Sequence, residues 1–194
     1  IGSHMVLRLC DAGEAVVVVD NLVTGFDWAI DPRAVFVTGN AGDMELIGDL
    51  IKTHGIDAII HFAGSIVVPE SVADPLKYYA NNTATSRNLI EAAVKGGVRH
   101  MVFSSTAAVY GMTGLEPAAE DTPLAPMSPY GRSKLMTEMM LADVAAAHPL
   151  TYGALRYFNV AGADPARRSG QSTPLATHLI KVTAQTALGQ RSHV

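Results

Sequence analysis

Residues 14–20 read EAVVVVD, a run of four valines that ends in an aspartate. An unbroken run of β-branched residues predicts a strand buried on both faces, as in a parallel sheet covered by helices. Gly13 precedes the run and Asn21 follows Asp20, so residues that favour turns bound it on both sides. The stretch therefore predicts an α/β fold, and the pattern of the sequence on either side of it shows whether the prediction is consistent.

Downstream of this run, strand-like and helix-like stretches alternate to the end of the chain. Asp43 is placed to cap one helix, Asp74 and Pro75 are typical of the start of another, and Gly96 follows its end. The further predicted strands are 34–40, 57–64, 98–111 and 150–160. The predicted helices are 43–54, about 74–96, about 129–147 and about 175–189. This order predicts a doubly wound parallel sheet with helices on both faces.

Upstream, residues 3–12 place apolar side chains on one side of a helix, with Gly13 as the residue after its end. A helix that runs into a buried parallel strand is expected to follow another strand, and the sequence holds none, so the first strand of the sheet is expected to be missing. Two interpretations of the first residues stay open. Gly-Ser-His-Met resembles the scar of a cleaved affinity tag, although Ile1 precedes it; alternatively, Gly2 is the last glycine of a nucleotide-binding turn.

Composition narrows the class of protein. The 194 residues are 48% hydrophobic and 16% charged with a net charge of −4, which predicts a soluble, mildly acidic globular protein. No basic block is present, so nucleic acid is not an expected partner, and the apolar run AVVVV is too short for a bilayer. The one cysteine fits a reducing compartment, no secretory segment is visible, and the expected location is the cytoplasm. The histidines lack metal-site spacing, so no metal is expected.

Asp20 carries the first chemical signal. In dinucleotide-binding units, an acidic residue about 20 positions past the glycine turn accepts hydrogen bonds from the ribose hydroxyls. Asp20 lies 18 positions after Gly2, and its carboxylate would repel a 2′-phosphate, which favours NAD over NADP. Alternatively, Asp20 is an ordinary residue at the end of a strand and only starts a turn. Asp43, in GNAGD, either lies near the adenine or only caps the helix that follows.

The sequence HFAG (61–64) closes another predicted strand with small residues. Small side chains at the carboxyl end of a strand allow a ligand to approach the backbone, although a tight turn needs them too. We expect His61 to be a hydrogen-bonded core residue and not a metal ligand.

The stretches SSTAAVYG (104–111) and SPYGRSK (128–134) carry the strongest signal. Tyr130 and Lys134 are four residues apart, so on a helix they share one face. A nearby ammonium stabilises a phenolate and lowers its pKa, which makes the tyrosine a general base for an alcohol. Hydroxyl groups at the end of the preceding strand can bond the same substrate oxygen.

With these motifs the chain resembles the extended short-chain dehydrogenases/reductases, and most closely the UDP-glucose (UDP-galactose) 4-epimerases. The resemblance covers essentially all of the chain, through IGSH, DNL, HFAG, PESV, PLKYYANN, FSSTAAVYG, SPYGRSK and LRYFNVAGA. It implies a Rossmann-like NAD-binding domain over residues 1–160 without its first strand. Residues 161–194 would be the start of an incomplete sugar-nucleotide-binding region.

The resemblance also implies roles for individual residues. Tyr130 is the expected base, Lys134 holds the nicotinamide ribose, and Thr106 takes the catalytic Ser/Thr position. Ile66 departs from a lysine that some epimerases place near the cofactor. The expected NAD contacts are Ile1, Gly2, Asp20, Asn21, Asp43, Met44, Phe62, Ala63, Gly64, Asn81, Ser104, Tyr130, Lys134 and Phe158. The expected substrate contacts are Thr106, Tyr130 and Asn159.

The implied reaction inverts C4 of a UDP-hexose through a transient 4-keto sugar, with NAD regenerated in each turnover, as part of galactose metabolism. A homodimer that pairs helices 74–96 and 129–147 is implied as well. Several alternatives stay open: an N-acetylhexosamine or uronate 4-epimerase, a simple NAD-dependent reductase, and a non-catalytic binding module or inactive fragment. A 4,6-dehydratase fits less well, because Ala107 and Ala108 follow Thr106 where those enzymes place an acid and a base.

Overall fold

The computed structural model describes residues 1–173 and 178–194 as two compact units. The terminal unit comprises Ile1–Thr38 and Asn159–Val194, and the central unit comprises Gly39–Phe158. The strands are β1 (Val17–Asp20), β2 (Val35–Thr38), β3 (Ala58–His61), β4 (His100–Ser104) and β5 (Thr151–Leu155). The helices are α1 (Gly2–Asp11), α2 (Met44–His54), α3 (Val68–Ala73), α4 (Pro75–Tyr78), α5 (Thr85–Lys95), α6 (Pro129–Ala147) and α7 (Leu179–Ala187).

In the terminal unit, α1 leads into the parallel pair β1–β2, whose register aligns Val17 with Val35. The helix predicted over 3–12 is confirmed within one residue at each end, and Gly13 follows it with a left-handed φ of +85°. The prediction that β1 is buried on both faces is wrong for the described chain. Its four residues are half-buried, because among the described residues β1 has one strand neighbour.

In the central unit, β4 lies between β3 and β5, and both pairings are parallel. Phe103 and Met101 of β4 are almost fully buried, as expected for the middle strand of the three. In this unit α-helices separate the strands along the chain, and every described strand pair of the two units is parallel. The α/β class predicted from the alternating pattern is therefore confirmed.

Helix caps in the central unit match the sequence signals. The Asp43 carboxylate accepts from the backbone amides of Glu45 and Leu46, both at 3.1 Å, and so caps α2. Asp74 likewise accepts from the Lys77 amide at 3.1 Å, with Pro75 as the first residue of α4. These bonds satisfy amides that a helix start leaves without partners.

The helix predicted over 74–96 is interrupted. A π-helical turn spans Tyr79–Ala84 between α4 and α5. Around this turn, Ser86 Oγ donates to the Asn82 carbonyl and Asn82 bonds the backbone of Ser65 with its side chain. Such turns are rare and concentrate at functional sites. The single-helix prediction is corrected because tertiary bonds to Asn82 favour the wider turn.

Other boundaries also differ from the sequence prediction. β4 ends at Ser104, because Thr106 starts a 3₁₀ turn over Ala107–Val109, and β5 ends at Leu155. The α3 helix was not predicted. The predicted helix at about 175–189 is found as α7, and its first residues lie outside the described part of the chain.

The longest helix, α6, has 19 residues and buries an unusual set of side chains. Its buried face includes Ser133, Lys134, Thr137 and Glu138, with Leu141 as the large apolar member. Buried polar groups must find hydrogen-bond partners, so this face of α6 indicates where the site lies.

No helix in the described part of the chain is long and apolar enough to cross a membrane.

Candidate active site

Two helical caps bring Thr106 and Tyr130 together in the central unit. Thr106 Oγ1 accepts from the Ala108 amide at 3.1 Å and starts the 3₁₀ turn after β4. Ser128 Oγ accepts from the Gly131 amide at 3.1 Å and starts α6, which makes Tyr130 its second residue. A Cβ at Gly131 would lie 3.0 Å from the Ala108 carbonyl oxygen. The absence of a side chain there thus permits the close approach of the two segments.

The surroundings of Tyr130 raise the pKa of its phenol. Burial is the main cause, the Thr106 hydroxyl opposes it by hydrogen bonding, and the neighbouring Tyr157 adds to the rise. The expectation that Lys134 lowers this pKa is wrong for the chain by itself. The ammonium is bonded elsewhere, and the loss of water around the half-buried phenol dominates.

Lys134 lies one helical turn beyond Tyr130 and is buried. Its Nζ donates to the Ser104 carbonyl at 3.0 Å and lies 4.9 Å from the centre of the Phe103 ring. Burial lowers the pKa of Lys134 to about 8. An ammonium has three donors, so further acceptors can bind it.

The turn after β3 approaches the same ammonium. Gly64 has a φ of +156°, and a Cβ there would lie 3.0 Å from Asn82 Oδ1 and 3.4 Å from Lys134 Nζ. Asn82 holds this turn, since its Oδ1 accepts from the Ser65 amide at 2.7 Å and its Nδ2 donates to Ser133 Oγ at 3.0 Å. The absence of a side chain at Gly64 therefore permits this turn to pack closely against Asn82 and beside the Lys134 ammonium.

His61, at the end of β3, is the core residue that the sequence predicts. Its ring is buried and Nε2 shares a 2.9 Å hydrogen bond with Ser86 Oγ. Burial, followed by the positive charge of Lys134, lowers the pKa of His61 to about 3. The imidazole is therefore neutral at physiological pH.

In the terminal unit, the loop after β1 closes around Asp20. The carboxylate accepts from the Leu22 amide at 2.7 Å, and Leu22 has a left-handed φ of +58°. A Cβ at Gly25 would lie 2.8 Å from the same carboxylate, so a side chain there would displace the carboxylate from this position. A carboxylate oxygen has more than one lone pair, and Asp20 keeps the capacity to accept from hydroxyl groups.

The remaining predicted site residues fall in both units. Ile1 and Gly2 form the start of α1, and Asn81 in the π-helical turn donates to Ser65 Oγ at 2.9 Å. Phe158 is 82% exposed at the end of the central unit. The terminal unit also contains Asn21 and Asn159, and the central unit contains Asp43, Met44, Phe62, Ala63 and Ser104. The central unit therefore brings together Thr106, Tyr130, Lys134, Ser104 and Gly64.

Three residues at this site were not predicted. Asn82 joins the HFAG turn to α6, and Glu138 and Arg156 form a largely buried ion pair beside Ser105. Glu138 lies four residues after Lys134, a spacing that places it on the same helix face and that provided a usable signal. Arg156 gave none, because its partner depends on how β5 lies against α6.

Comparison with known proteins bears directly on this geometry. The profile of the NAD dependent epimerase/dehydratase family matches residues 1–191. The chain belongs to that family. It is 55% identical over 191 residues to the UDP-glucose 4-epimerase of Azospirillum brasilense, covering 98% of this chain and 55% of that protein. It is 45% identical over 192 residues to the enzyme of that name from Lacticaseibacillus casei, covering 99% of this chain and 58% of that protein.

Solved structures of this family agree with the fold. The UDP-glucose 4-epimerase of Brucella ovis in complex with NAD superposes with a TM-score of 0.94 at 40% identity, over all of this chain and 59% of that one. The resemblance stated from the sequence motifs and the Rossmann-like α/β class are thereby confirmed. The chain spans little more than half the length of these family members.

Proposed function

We propose that the protein containing this chain is a UDP-hexose 4-epimerase that uses NAD and interconverts UDP-glucose and UDP-galactose through a 4-keto sugar. One observation carries the proposal: Thr106 and Tyr130 are neighbours, and Lys134 lies one turn further along the buried face of α6. The names of the curated relatives support the substrate class.

The described residues fit an NAD cofactor. The remaining donors of Lys134 suit a ribose, and the Asp20 carboxylate suits the hydroxyls of a second ribose. Bound NAD would supply the acceptor and donor of hydride. In this proposal Asp20, Asn21, Asp43, Met44, Asn81 and Phe158 contact the cofactor with Ile1, Gly2, Phe62, Ala63 and Ser104.

The proton steps belong to the chain itself. Tyr130 takes the proton of the sugar 4-hydroxyl and later returns it, while the Thr106 hydroxyl donates to the same oxygen as its charge develops. Lys134 holds the ribose of the cofactor. Because burial raises the pKa of Tyr130, activity is expected to rise with pH on the acid side of the optimum.

The test uses the full-length protein with UDP-galactose and, separately, its N-acetylated analogue. The proposal expects the C4 epimer of UDP-galactose without net NADH formation. Epimerisation of the analogue alone would support the hexosamine alternative, and a 4-keto-6-deoxy product would support a dehydratase. Ala107 and Ala108, which carry no acid or base, favour epimerisation over dehydration.

A matched pair of tyrosine variants assigns the base. Tyr130→Phe is expected to lower kcat by about a thousandfold while NAD stays bound, since a positioned base contributes on the order of 10²–10⁴. Tyr152→Phe changes an exposed tyrosine of β5 and is the control. Near-normal activity of Tyr130→Phe would reject the proposed mechanism.

We further propose a cytoplasmic homodimer. The dimer is supported by an apolar groove on the central unit lined by Tyr79, Thr83, Ala84, Arg87, Met136 and Met140. Met139 of α6 and Leu76 of the neighbouring α4 are also exposed. Light scattering at several concentrations tests the dimer, and a mass that stays monomeric would reject it.

A further inference from the structure

The buried face of α6 meets the end of β4 through three successive helical turns. The Thr106 hydroxyl lies near enough to Tyr130 to lower the pKa of its phenol, Lys134 donates to the Ser104 carbonyl at 3.0 Å, and Glu138 accepts from Ser105 Oγ. Residues four apart on a helix lie one above another, so these contacts run along a single line. The first two involve the proposed catalytic residues, and the third has no place in the proposed reaction.

The third contact, at Glu138, is held in place by additional hydrogen bonds from Arg156. Arg156 donates to Glu138 Oε2 through Nε at 3.0 Å and Nη2 at 2.6 Å, and the Glu138 side chain is only 7% exposed. Arg156 Nη1 also donates to Tyr110 Oη at 3.0 Å and to the Glu120 carbonyl at 3.2 Å. The guanidinium therefore binds both α6 and the segment that follows Thr106.

Ser105 connects this ion pair to the reacting groups. It is almost fully buried and lies between Ser104 and Thr106 in the chain. Fixing the Ser105 side chain on Glu138 fixes the backbone that presents the Thr106 hydroxyl. The two-point binding of a carboxylate by a guanidinium is geometrically specific, which suits it to setting a position.

We propose that Ser105, Glu138 and Arg156 form a positioning unit that holds the Thr106 hydroxyl against Tyr130. The inference rests on the proposed function, because the position of Thr106 affects turnover only if Tyr130 transfers the proton. The contact itself can be followed without turnover, so the two proposals can fail separately.

The positioning unit is expected to affect the pKa of Tyr130. The Thr106 hydroxyl lowers the pKa of Tyr130, whereas burial and Tyr157 raise it. The other groups facing the phenol are Tyr78, whose ring centre is 6.4 Å from that of Tyr130, and Lys134 one turn along α6. We expect the release of Ser105 to leave these groups in place and to weaken only the effect by which the Thr106 hydroxyl stabilises the phenolate.

The experiment removes the Ser105 hydroxyl in the full-length protein. For Ser105→Ala, the Tyr130 pKa followed by NMR of ζ-¹³C-labelled tyrosine is expected to rise by about one unit, which corresponds to about a tenfold change in the equilibrium. The acid limb of the kcat profile for UDP-galactose should move by the same amount, with KM within about twofold. Ser105→Thr keeps the hydroxyl and should restore both values.

A second background separates positioning from loss of stability. In Thr106→Ala protein, adding Ser105→Ala should leave the Tyr130 pKa unchanged, because the group through which Ser105 acts is already gone. Ser71→Ala removes another buried serine hydroxyl and should not move the pKa.

The outcomes decide between the two proposals. An unshifted pKa in Ser105→Ala, or an equal shift in the Thr106→Ala background, overturns the positioning unit. If the variants show the expected pKa shifts but the wild-type protein leaves UDP-galactose unchanged, the positioning unit is supported and the proposed function is overturned.

Discussion

Each unit of the molecule contains a cluster of arginine and carboxylate groups, and the clusters differ in their access to water. In the central unit, Glu138 and Arg156 have side chains 7% and 22% exposed. In the terminal unit, Asp11 accepts from Arg168 at 2.9 and 3.0 Å and from Arg33 at 2.7 Å. Those three side chains, here called the exposed cluster, are 33–51% exposed. The same arginines also pair with Asp31 and Asp164, whose side chains are 5% and 8% exposed and which do not belong to the exposed cluster. Nearly the same bond lengths therefore occur in very different surroundings.

The comparison shows why hydrogen-bond geometry alone is a poor guide to energy. When an exposed ion pair forms, each charged group replaces hydrogen bonds to water by hydrogen bonds of similar strength to its partner, and salt screens the attraction. The net contribution of the pair to stability is therefore small. A buried group that loses its partner has no water to replace it, and the cost is large. Substitution of the buried polar groups of the central unit, and a change in their protonation, should therefore have the largest effects on the free energy of unfolding.

The largest expected effect comes from His61 in acid. Its pKa is about 3 in the folded chain, below the ordinary value of 6.5, because burial and the charge of Lys134 disfavour the imidazolium. The unfolded chain binds the extra proton, so stability falls as pH drops from 6.5 towards 3, by at most about 5 kcal/mol. The free energies of unfolding of wild type and His61→Gln, measured with urea, should therefore converge as the pH falls through this range.

His148→Gln changes an exposed histidine and is the control, and its free energy of unfolding should differ from that of wild type by a constant amount across the range. A constant difference between wild type and His61→Gln would contradict the prediction.

Next is the ion pair of the central unit. Glu138→Ala leaves the Arg156 guanidinium and the Ser105 hydroxyl without their partner, and is expected to lower the free energy of unfolding by about 3–5 kcal/mol. Urea unfolding at pH 7 measures the change. A loss no larger than that of Asp11→Ala in the exposed cluster would remove the distinction between the two clusters.

A smaller effect is expected from Lys134 in alkali. Its pKa of about 8 lies below the ordinary 10.5, because burial disfavours the ammonium. Wild type should therefore gain stability between pH 8 and about 10.4, by at most about 3 kcal/mol relative to Lys134→Met. The measurement is the difference between the two unfolding curves across that range. Lys52→Met, on the exposed side of α2, provides the control, and an unchanging difference for Lys134→Met would refute the prediction.

The smallest effect belongs to the exposed cluster. Its arginines hold the pKa of Asp11 well below the usual range, yet all three side chains are 33–51% exposed to solvent. Asp11→Asn should shift the urea midpoint by no more than the scatter of replicate curves, and 1 M salt should abolish any shift that is seen. A shift as large as that of Glu138→Ala would show that exposure is the wrong criterion.

Local signals predicted much of the fold and part of the site. Asp43 and Asp74 were predicted to start helices, because a cap needs only a short stretch of chain. Tyr130 and Lys134 were predicted to share a face, because four residues make about one helical turn. Asn82 was missed and the helix around it was predicted as continuous, because its partners Ser65 and Ser133 are 17 and 51 residues away.

The sequence by itself determined the alternation of strands and helices, the caps, the glycine positions and the line of side chains on α6, because these follow from backbone preferences and helical spacing. Only the tertiary structure decided what those side chains contact. It set the direction of the Tyr130 pKa shift, the bond from Lys134 to Ser104 and the pairing of Glu138 with Arg156. Burial and register depend on the packing of segments far apart in the chain, and no local pattern specifies them.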